Sequence, residues 1–446
     1  MRAGRNRLLF GALTAFVLRG LGAAFALVFN VALARLIGAE GAGHYYFALS
    51  LTMTLSVFAR LGLDNSLLRF VATSSAAGEW GKVRGLFALG VRQCLIASAV
   101  LAVGLALLAV PLADLAFDDD GASVLHLMFM AAAIITSSLM MLIGECLKGL
   151  GRITGSMLVS GVLYPVFALA LIWPAVTLAG ESGASLAYLA GTGATAVAGL
   201  WMWHRSLAPH PAPAEAFPPD QLRASSRPLL LVHLVNGPLL AWLPLFYVAF
   251  FVPTAETGIM AAALRVASVL AFFSAAVQTA ISPTFSILAA RQTGTEALQA
   301  AVSRATTMVI LSLLPVCLGL VVFAELIMAS FGPEFREGAG LLVLLALANL
   351  ALALAGPGGF VLVLSGNERA ALRVALLTAL IAITFIGVLT PFFGTGGAVL
   401  GIGIAMVADK WLCARKVRRL MGINCFVTPA TLKQGLVGLR DGEHGQ

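Results

Sequence analysis

Long apolar runs alternate with short polar segments along the chain. Each run is about as long as the roughly 20 residues that a helix needs to cross a hydrocarbon core about 30 Å thick. Within lipid, a single segment satisfies its own backbone polar groups only as a helix. The pattern therefore predicts an all-α polytopic membrane protein with about twelve transmembrane helices. The predicted spans lie at about residues 9–34, 44–63, 85–110, 122–144, 154–178, 183–203, 228–252, 258–282, 305–328, 338–364, 371–391 and 396–412.

The composition supports this interpretation and excludes several classes of protein. Hydrophobic residues make up 60% of the 446 residues and charged residues only 11%, whereas a soluble domain is typically about half apolar and a quarter charged. A soluble globular enzyme is therefore excluded. The strand-sized alternating segments of an outer-membrane barrel are not seen in the sequence. The five cysteines are scattered without a CxxC pair, so they indicate neither a disulfide framework nor a metal site.

The positions of the basic residues predict the orientation of the helices. Of the 28 Lys and Arg residues, 23 fall on one side if the N-terminus starts in the cytosol and the spans alternate. Cytosolic loops of membrane proteins are enriched in these residues, so we expect both termini in the cytosol. The first apolar run continues past Arg19 to about Ala34 without a cleavage motif, which favours an uncleaved first helix over a signal peptide.

A polar, proline-rich stretch divides the chain near its middle. Proline disfavours the continuation of a helix, so we interpret this stretch as a linker. The predicted organisation is an N-terminal six-helix lobe (1–203), a cytosolic linker (204–227), a C-terminal six-helix lobe (228–412) and a basic cytosolic tail (413–446).

Equivalent glycines indicate that the two lobes are copies of one repeat. Gly43 and Gly258 open the second and eighth predicted helices and lie 215 residues apart. Gly151 and Gly366 mark two equivalent helix turns at the same spacing. Because the repeat has six helices, its copies share one orientation and a pseudo-twofold axis along the membrane normal. Parallel repeats of this kind place a substrate site between the halves.

Six short motifs carry a resemblance to a known family. They are Leu33–Ser50, Leu61–Phe70, Gly258–Arg265, Ile281–Ser286, Phe331–Phe335 and Pro391–Ala398. The ordered set resembles the polysaccharide flippases of the multidrug/oligosaccharidyl-lipid/polysaccharide exporter superfamily. The resemblance covers most of the chain up to about residue 412.

The resemblance implies a MATE-like fold, in which two six-helix lobes form a V-shaped cavity that opens alternately to either side of the bacterial inner membrane. It also implies the cargo, an isoprenoid-diphosphate-linked oligosaccharide for O-antigen, capsule or exopolysaccharide assembly. The expected partners are this lipid-linked oligosaccharide, membrane lipids, a polysaccharide polymerase and other glycan-assembly proteins. We expect a monomer that does not bind nucleic acid.

Three arginines fall inside predicted spans, where a positive charge would suit an anionic cargo. An arginine at mid-membrane costs about 2.5–3.5 kcal/mol on insertion scales and usually faces a bundle interior or a wet cavity. Arg19 lies near the middle of the first helix and Arg265 in the outer half of the eighth, and both helices line the cavity in the family. Arg92, in the third helix, has the alternative of snorkelling to the surface. Bonding to carbonyl groups between packed helices is an alternative for all three.

Further polar residues lie on the same candidate helices: Asn30 in the first, Asn236 in the seventh and Gln278 in the eighth. Each indicates either a sugar contact or an interhelical hydrogen bond worth about 0.6–2 kcal/mol. We therefore include these three residues with the arginines as candidate substrate-binding residues. Pro238 and Pro244 are expected to bend the seventh helix.

Other functions stay open from the sequence. A multidrug antiporter of the same superfamily usually carries a carboxylate inside the membrane, whereas Asp64 and Asp409 lie at predicted helix ends. A membrane polymerase or ligase usually carries catalytic residues on a large external loop, and the acidic run 118–120 lies on a short one. A purely structural scaffold would leave the intramembrane arginines unexplained. We therefore predict a transporter and not an enzyme, with no catalytic residue, metal or cofactor, and leave coupling to a proton or sodium gradient open.

Overall fold

The structure is helical, as the apolar pattern predicts. It is a computed structural model that describes residues 2–117, 121–236, 242–290, 295–365, 367–429 and 431–435, and no strand occurs in these ranges. The α-helices are α1 (Arg2–Ala59), α2 (Leu63–Ala76), α3 (Trp80–Leu107), α4 (Ala109–Ala116), α5 (Ala122–Gly149), α6 (Ile153–Met157), α7 (Leu163–Ala179), α8 (Gly183–Leu207), α9 (Pro219–Asn236), α10 (Leu243–Val248), α11 (Thr254–Ala290), α12 (Thr295–Val322), α13 (Ala324–Ala329), α14 (Ala339–Leu354), α15 (Gly358–Leu364) and α16 (Glu368–Met421).

Helix α1 is a hairpin of two helical limbs that turns at Gly38. This glycine has φ 72° and ψ −176°, a backbone conformation that is essentially restricted to glycine. The rings of Phe29 and Tyr45 lie 6.4 Å apart. In a straight helix, 16 residues would separate them by about 24 Å, so the second limb runs back along the first.

The same kind of hairpin occurs at Gly180, between α7 and α8, and at Gly394, inside α16. Gly180 has φ 58° and ψ −139°, and Gly394 has φ 57° and ψ −139°. In each hairpin a second glycine, Gly183 or Gly397, packs directly on the carbonyl group of the opposite limb. The corresponding residues of the two hairpins are 214 positions apart. The repeat expected from the sequence therefore extends to a pair of predicted turns that the sequence analysis did not use as repeat markers.

Eight stretches of the described residues are long and apolar enough to cross a membrane. Three of them, Val17–Ala59, Ile153–Leu207 and Arg369–Met421, have 43, 55 and 53 residues, more than twice the roughly 20 that one crossing needs. Each of the three contains one of the glycine hairpins and so provides two crossings. With eight such stretches, the protein is a multi-pass membrane protein. The seventh predicted span, 228–252, includes residues 237–241, which lie outside the described ranges.

The chain divides into two compact units, residues 1–261 and 262–446. The division falls inside α11, so the first unit includes the proline-rich stretch and the helices that follow it. Its core contains the stacked rings of Phe87 and Trp203, with centroids 4.2 Å apart. The core of the second unit contains Leu362 and Val417, from α15 and α16. The lobe boundaries expected from the sequence stay a prediction.

The proline-rich stretch packs against the start of α3. Helix α8 ends at Leu207, and α9 begins only at Pro219. Between them, the rings of His210 and Trp80 stack with centroids 3.8 Å apart, and the amide of Glu215 donates to the Gly81 carbonyl over 3.0 Å. This segment is therefore an ordered strap on the first unit, although it is not helical.

The C-terminal tail is part of the second unit. Helix α16 continues to Met421, well past the predicted end of the last span at about residue 412. Beyond it, Asn424 and Gln299 exchange two hydrogen bonds of 2.7 and 2.9 Å. The amide of Val427 donates to the Leu354 carbonyl over 2.9 Å. These bonds hold the tail against α12 and α14.

Candidate functional site

Asn30 bridges the two limbs of α1. Its Nδ2 donates to the Ala26 carbonyl over 2.5 Å, and its Oδ1 accepts from the Tyr46 hydroxyl over 2.5 Å. The Tyr46 side chain is fully buried. The bond with Tyr46 crosses between the limbs and favours the interhelical alternative that the sequence left open for Asn30, and its predicted contact with a sugar stays a prediction.

Arg19 lies eleven residues before Asn30 on the same helix. Eleven residues are three turns, so both side chains lie on one face of α1, roughly 16 Å apart. Further along this face Leu33 is fully buried, whereas Arg19 is exposed. No acidic side chain in the described ranges pairs with Arg19. An arginine in an apolar helix without a counter-charge favours contact with water or an anion.

Arg92 lies on a different kind of surface. The buried stripe of α3 includes Gly90, Cys94 and Ser98. Arg92 is exposed and lies on the other side of the helix, in line with Ile96 and further apolar residues that are also exposed. This placement favours the snorkelling alternative for Arg92.

Arg265 is half-buried in α11. Its neighbours Ala262, Val266 and Leu270 on the same helix are buried, so Arg265 lies beside a buried face of α11. Asn236 is the last residue of α9, and Gln278 lies inside α11. The side chains of Asn236 and Gln278 lie outside the described part of the structure, so their predicted roles stay predictions.

Gly43 and Gly258 bring two helices of the first unit into close contact. A Cβ atom at Gly43 would lie well inside 3 Å of the Thr254 carbonyl oxygen and 2.7 Å from Thr254 Cγ2. A Cβ atom at Gly258 would lie as close to the Ala39 carbonyl oxygen and 2.9 Å from the Gly43 amide nitrogen. Small residues allow helix backbones to approach in this way, and here only glycine fits.

This glycine crossing is symmetric with respect to the repeat. Ala39 and Thr254 are 215 residues apart, as are Gly43 and Gly258. Each glycine therefore packs on the carbonyl group of the residue four positions before its repeat partner. Such a reciprocal contact is expected where a pseudo-twofold axis passes between repeat-related helices. The sequence identifies these glycines as repeat markers but does not predict that they touch.

A buried histidine pair in the first unit was not predicted as a functional feature. His44 is 6% exposed and His126 fully buried, and their ring centroids lie 5.9 Å apart. His126 Nδ1 lies 2.7 Å from Ser185 Oγ, and no described group hydrogen-bonds to its Nε2. The pair connects α1, α5 and α8 through polar atoms inside an apolar core. The sequence offered one signal for this pair, which is that both histidines fall within predicted apolar spans.

The sequence analysis expected Asp409 at a helix end, but the structure places it inside a helix. It falls within α16, twelve residues before Met421, because the helix continues into the basic tail. It accepts a 3.4 Å hydrogen bond from the Thr378 hydroxyl and lies 3.6 Å from the Lys410 ammonium group. Asp64, in contrast, is the second residue of α2, as predicted.

In the described ranges, no group of three or more His, Cys, Asp or Glu residues is placed to hold a metal ion. The acidic run 118–120, which the sequence analysis considered for an enzyme, lies outside these ranges. The polar groups that the described structure does bring together are small interhelical clusters, such as Asn30 with Tyr46 and His126 with Ser185.

Comparison with known proteins gives one family and several similar folds. A family model described as polysaccharide biosynthesis protein matches residues 8–286. No curated protein matches the chain in sequence.

Three solved structures illustrate the fold. An inward closed conformation of the lipid II flippase MurJ has a TM-score of 0.73 at 13% identity, over 97% of this chain and 91% of its own. An inward-facing multidrug resistance MATE family transporter of the MOP superfamily has a TM-score of 0.72 at 13% identity, over 97% and 98%. A eukaryotic MATE transporter has a TM-score of 0.66 at 15% identity, over 98% and 99%. At these identities the likeness shows the fold, which confirms the MATE-like architecture.

Proposed function

The chain belongs to the polysaccharide biosynthesis protein family, and on that premise we propose that it is a flippase for an isoprenoid-diphosphate-linked oligosaccharide. The proposed mechanism is alternating access across the bacterial inner membrane, in the assembly of O-antigen, capsule or exopolysaccharide. The observation that carries the proposal is the family match over residues 8–286 on a chain that shares its fold with a lipid II flippase.

The arginines of the helical units support an anionic cargo. A diphosphate crossing an apolar slab needs fixed positive charge, and guanidinium groups offer paired donors to phosphate oxygens. Arg19 is exposed on a helix face that is buried further along, and no described acid neutralises it. We propose that Arg19 and Arg265 bind the diphosphate, and that Arg92 anchors α3 near the membrane surface.

The glycine crossing supports a moving contact. Gly43 and Gly258 meet backbone to backbone, without interlocking side chains. Helices in such a contact can separate without first withdrawing side chains from one another. We propose that the crossing closes one side of the transport route and parts when that side opens.

Cation coupling is a second proposal, and it rests on Asp409. A carboxylate within α16 is the feature that the sequence analysis expected of a coupled antiporter and did not find inside a span. Its partners are Thr378 and Lys410. We propose that a proton or sodium gradient drives transport through this carboxylate. Transport by Asp409→Asn that still responds fully to the gradient would exclude Asp409 from this role.

The setting follows from the same premise. We propose a monomer in the inner membrane with both termini in the cytosol, working beside a polysaccharide polymerase and other glycan-assembly proteins. A cysteine placed at position 2 of an otherwise cysteine-free chain tests the orientation, because a membrane-impermeant maleimide would label it only after lysis.

The function is tested by the sidedness of lipid-linked glycan after depletion of this protein. Intact spheroplasts and lysed controls are treated with a membrane-impermeant glycan-cleaving reagent. Glycan that accumulates and is protected until lysis supports a flippase. Glycan that accumulates but is already accessible contradicts it and favours a polymerase or ligase. No accumulation also contradicts it and makes drug efflux the next assay.

Complementation with arginine variants tests the binding residues. We expect Arg19→Ala and Arg265→Ala, alone and together, to leave glycan protected inside, whereas Arg92→Ala restores export. Arg92 is the matched control, because it is also an arginine within an apolar helix. Equal export by all variants at equal membrane levels would exclude the proposed phosphate contacts while leaving the flippase proposal intact.

A further inference from the structure

A basic pocket of about 300 Å³ lies between the start and the last turns of α16, in the second unit. Its apolar lining consists of Ala370, Val374, Leu377 and Leu412, and its charged lining consists of Arg373, Arg415, Lys416 and Arg419. The sequence shows the last three as a basic cluster in the tail. It does not show that Arg373, more than forty residues earlier, joins them.

The four positive charges are not neutralised within the described structure. None of them forms an ion pair there. Asp409, the acidic residue nearest in sequence to the three tail cations, is engaged with Lys410 and Thr378. Cations near a helix C-terminus interact favourably with the helix dipole, which is a reason for the tail residues. It is no reason for Arg373, which lies near the N-terminal end of α16, so the pocket is suited to an anion.

An apolar groove of about 610 Å³ adjoins this pocket. It is lined by one side of α14 and by the second limb of α16 from Val399 to Trp411, and no charged residue contributes to it. Trp411, which lines the groove, lies under the guanidinium group of Arg415, which lines the basic pocket, at 5.1 Å. From Val399 to Trp411 the groove runs for about 18 Å along the helix.

We propose that this pair of cavities binds an anionic phospholipid, with the phosphate head group in the basic pocket and one acyl chain in the groove. The apolar groove alone fits any lipid chain, and the basic pocket alone fits any phosphate. Only an amphiphile with an anionic head satisfies both at once. Basic pockets between transmembrane helices bind acidic lipid head groups in this manner.

Lipid retention measured by native mass spectrometry tests the pocket. Purified full-length protein is titrated with phosphatidylglycerol and, separately, with phosphatidylcholine of the same chains. The test variant is Arg373→Gln with Arg419→Gln. The matched control is Arg369→Gln with Arg418→Gln, which removes the same charge from exposed neighbours that do not line the pocket.

We expect the parent and the control to prefer phosphatidylglycerol, and the test variant to bind it about thirtyfold more weakly. Equal retention by the test and control variants would overturn the proposal. Inorganic phosphate that competes as well as the lipid does would also overturn it, because the site would then be one for free phosphate.

Fluorescence of Trp411 tests the groove. In nanodiscs, phosphatidylglycerol with brominated acyl chains should quench part of the tryptophan fluorescence, and Trp411→Phe should remove that part. Brominated phosphatidylcholine at the same mole fraction should give a smaller loss. Equal quenching by the two lipids, or quenching unaffected by Trp411→Phe, would show that the chain does not occupy the groove.

Discussion

Replacement of Gly43 by alanine is the most direct test of the glycine crossing. The added Cβ atom would lie well inside 3 Å of the Thr254 carbonyl oxygen and 2.7 Å from Thr254 Cγ2. The carbonyl belongs to the helix backbone, so it can retreat only if α11 moves as a whole. The Thr254 methyl group can rotate, but the backbone contact stays.

The expected cost is set by two opposing effects. Overpacking of a tight contact costs about 1–3 kcal/mol, whereas alanine in a helix interior is favoured over glycine by about 1 kcal/mol. Gly104→Ala in α3 is the matched control, because its new Cβ atom would meet nothing within 4 Å. The helix gain is common to both variants, so we expect the free energy of unfolding of Gly43→Ala to fall below that of Gly104→Ala by the overpacking cost, about 1–3 kcal/mol.

Reversible unfolding in SDS, followed by the fluorescence of the six tryptophans, measures these free energies. The double variant Gly43→Ala with Gly258→Ala completes a cycle. Because one substitution already separates the helices, the second should cost less than it does alone. Strictly additive effects, or a Gly43→Ala variant as stable as Gly104→Ala, would refute the close crossing.

Three further variants test other parts of the structure. Gly394→Ala should destabilise the protein by about 1–3 kcal/mol, because Gly394 has a positive φ. Gly396→Ala is the control and should not destabilise the protein, because open space surrounds Gly396. Equal melting temperatures of the two variants would contradict this. Tyr46→Phe should cost about 0.6–2 kcal/mol and almost nothing once Asn30 is alanine; an unchanged cost there would exclude their hydrogen bond. Burial and then the charge of Glu40 raise the pKa of Glu181, so ionisation disfavours the folded state. Glu181→Gln should therefore raise the melting temperature at pH 7, by an amount that shrinks as the pH falls through this pKa; a pH-independent difference would contradict the shift.

Much of the fold could be predicted from apolar run lengths and turn residues. A run of about 20 apolar residues has few alternatives in lipid, because its backbone must satisfy its own hydrogen bonds. The predicted junctions near Gly38 and Gly180 are the hairpin turns seen in the structure. The tail was less well predicted, because an amphipathic end of a long helix and a polar tail have similar composition. The structure shows that helix α16 extends to Met421. Asp409, which was expected at a helix end, consequently lies in the helix interior.

The candidate site was only partly predictable. The sequence identifies Arg19 and Arg92 equally well as charges within spans. The structure separates them, because one lies in line with a buried stripe and the other in line with exposed apolar residues. Periodicity gives little help in this protein, since lipid tails are as apolar as a protein interior. The buried pair of His44 and His126 was missed because the two residues are far apart in the chain.

The sequence by itself determined that this protein is helical, crosses the membrane many times and contains a six-helix repeat, because those properties depend on local hydrophobicity and spacing. Tertiary structure alone decided which distant residues meet: Gly43 with Thr254, His44 with His126, and Arg373 with the basic tail. The physical reason is that crossing the bilayer is a requirement on each segment separately. Which helices pack together depends instead on close packing between segments. Lipid tails are as apolar as the protein interior, so they do not favour burial of one apolar helix face over another.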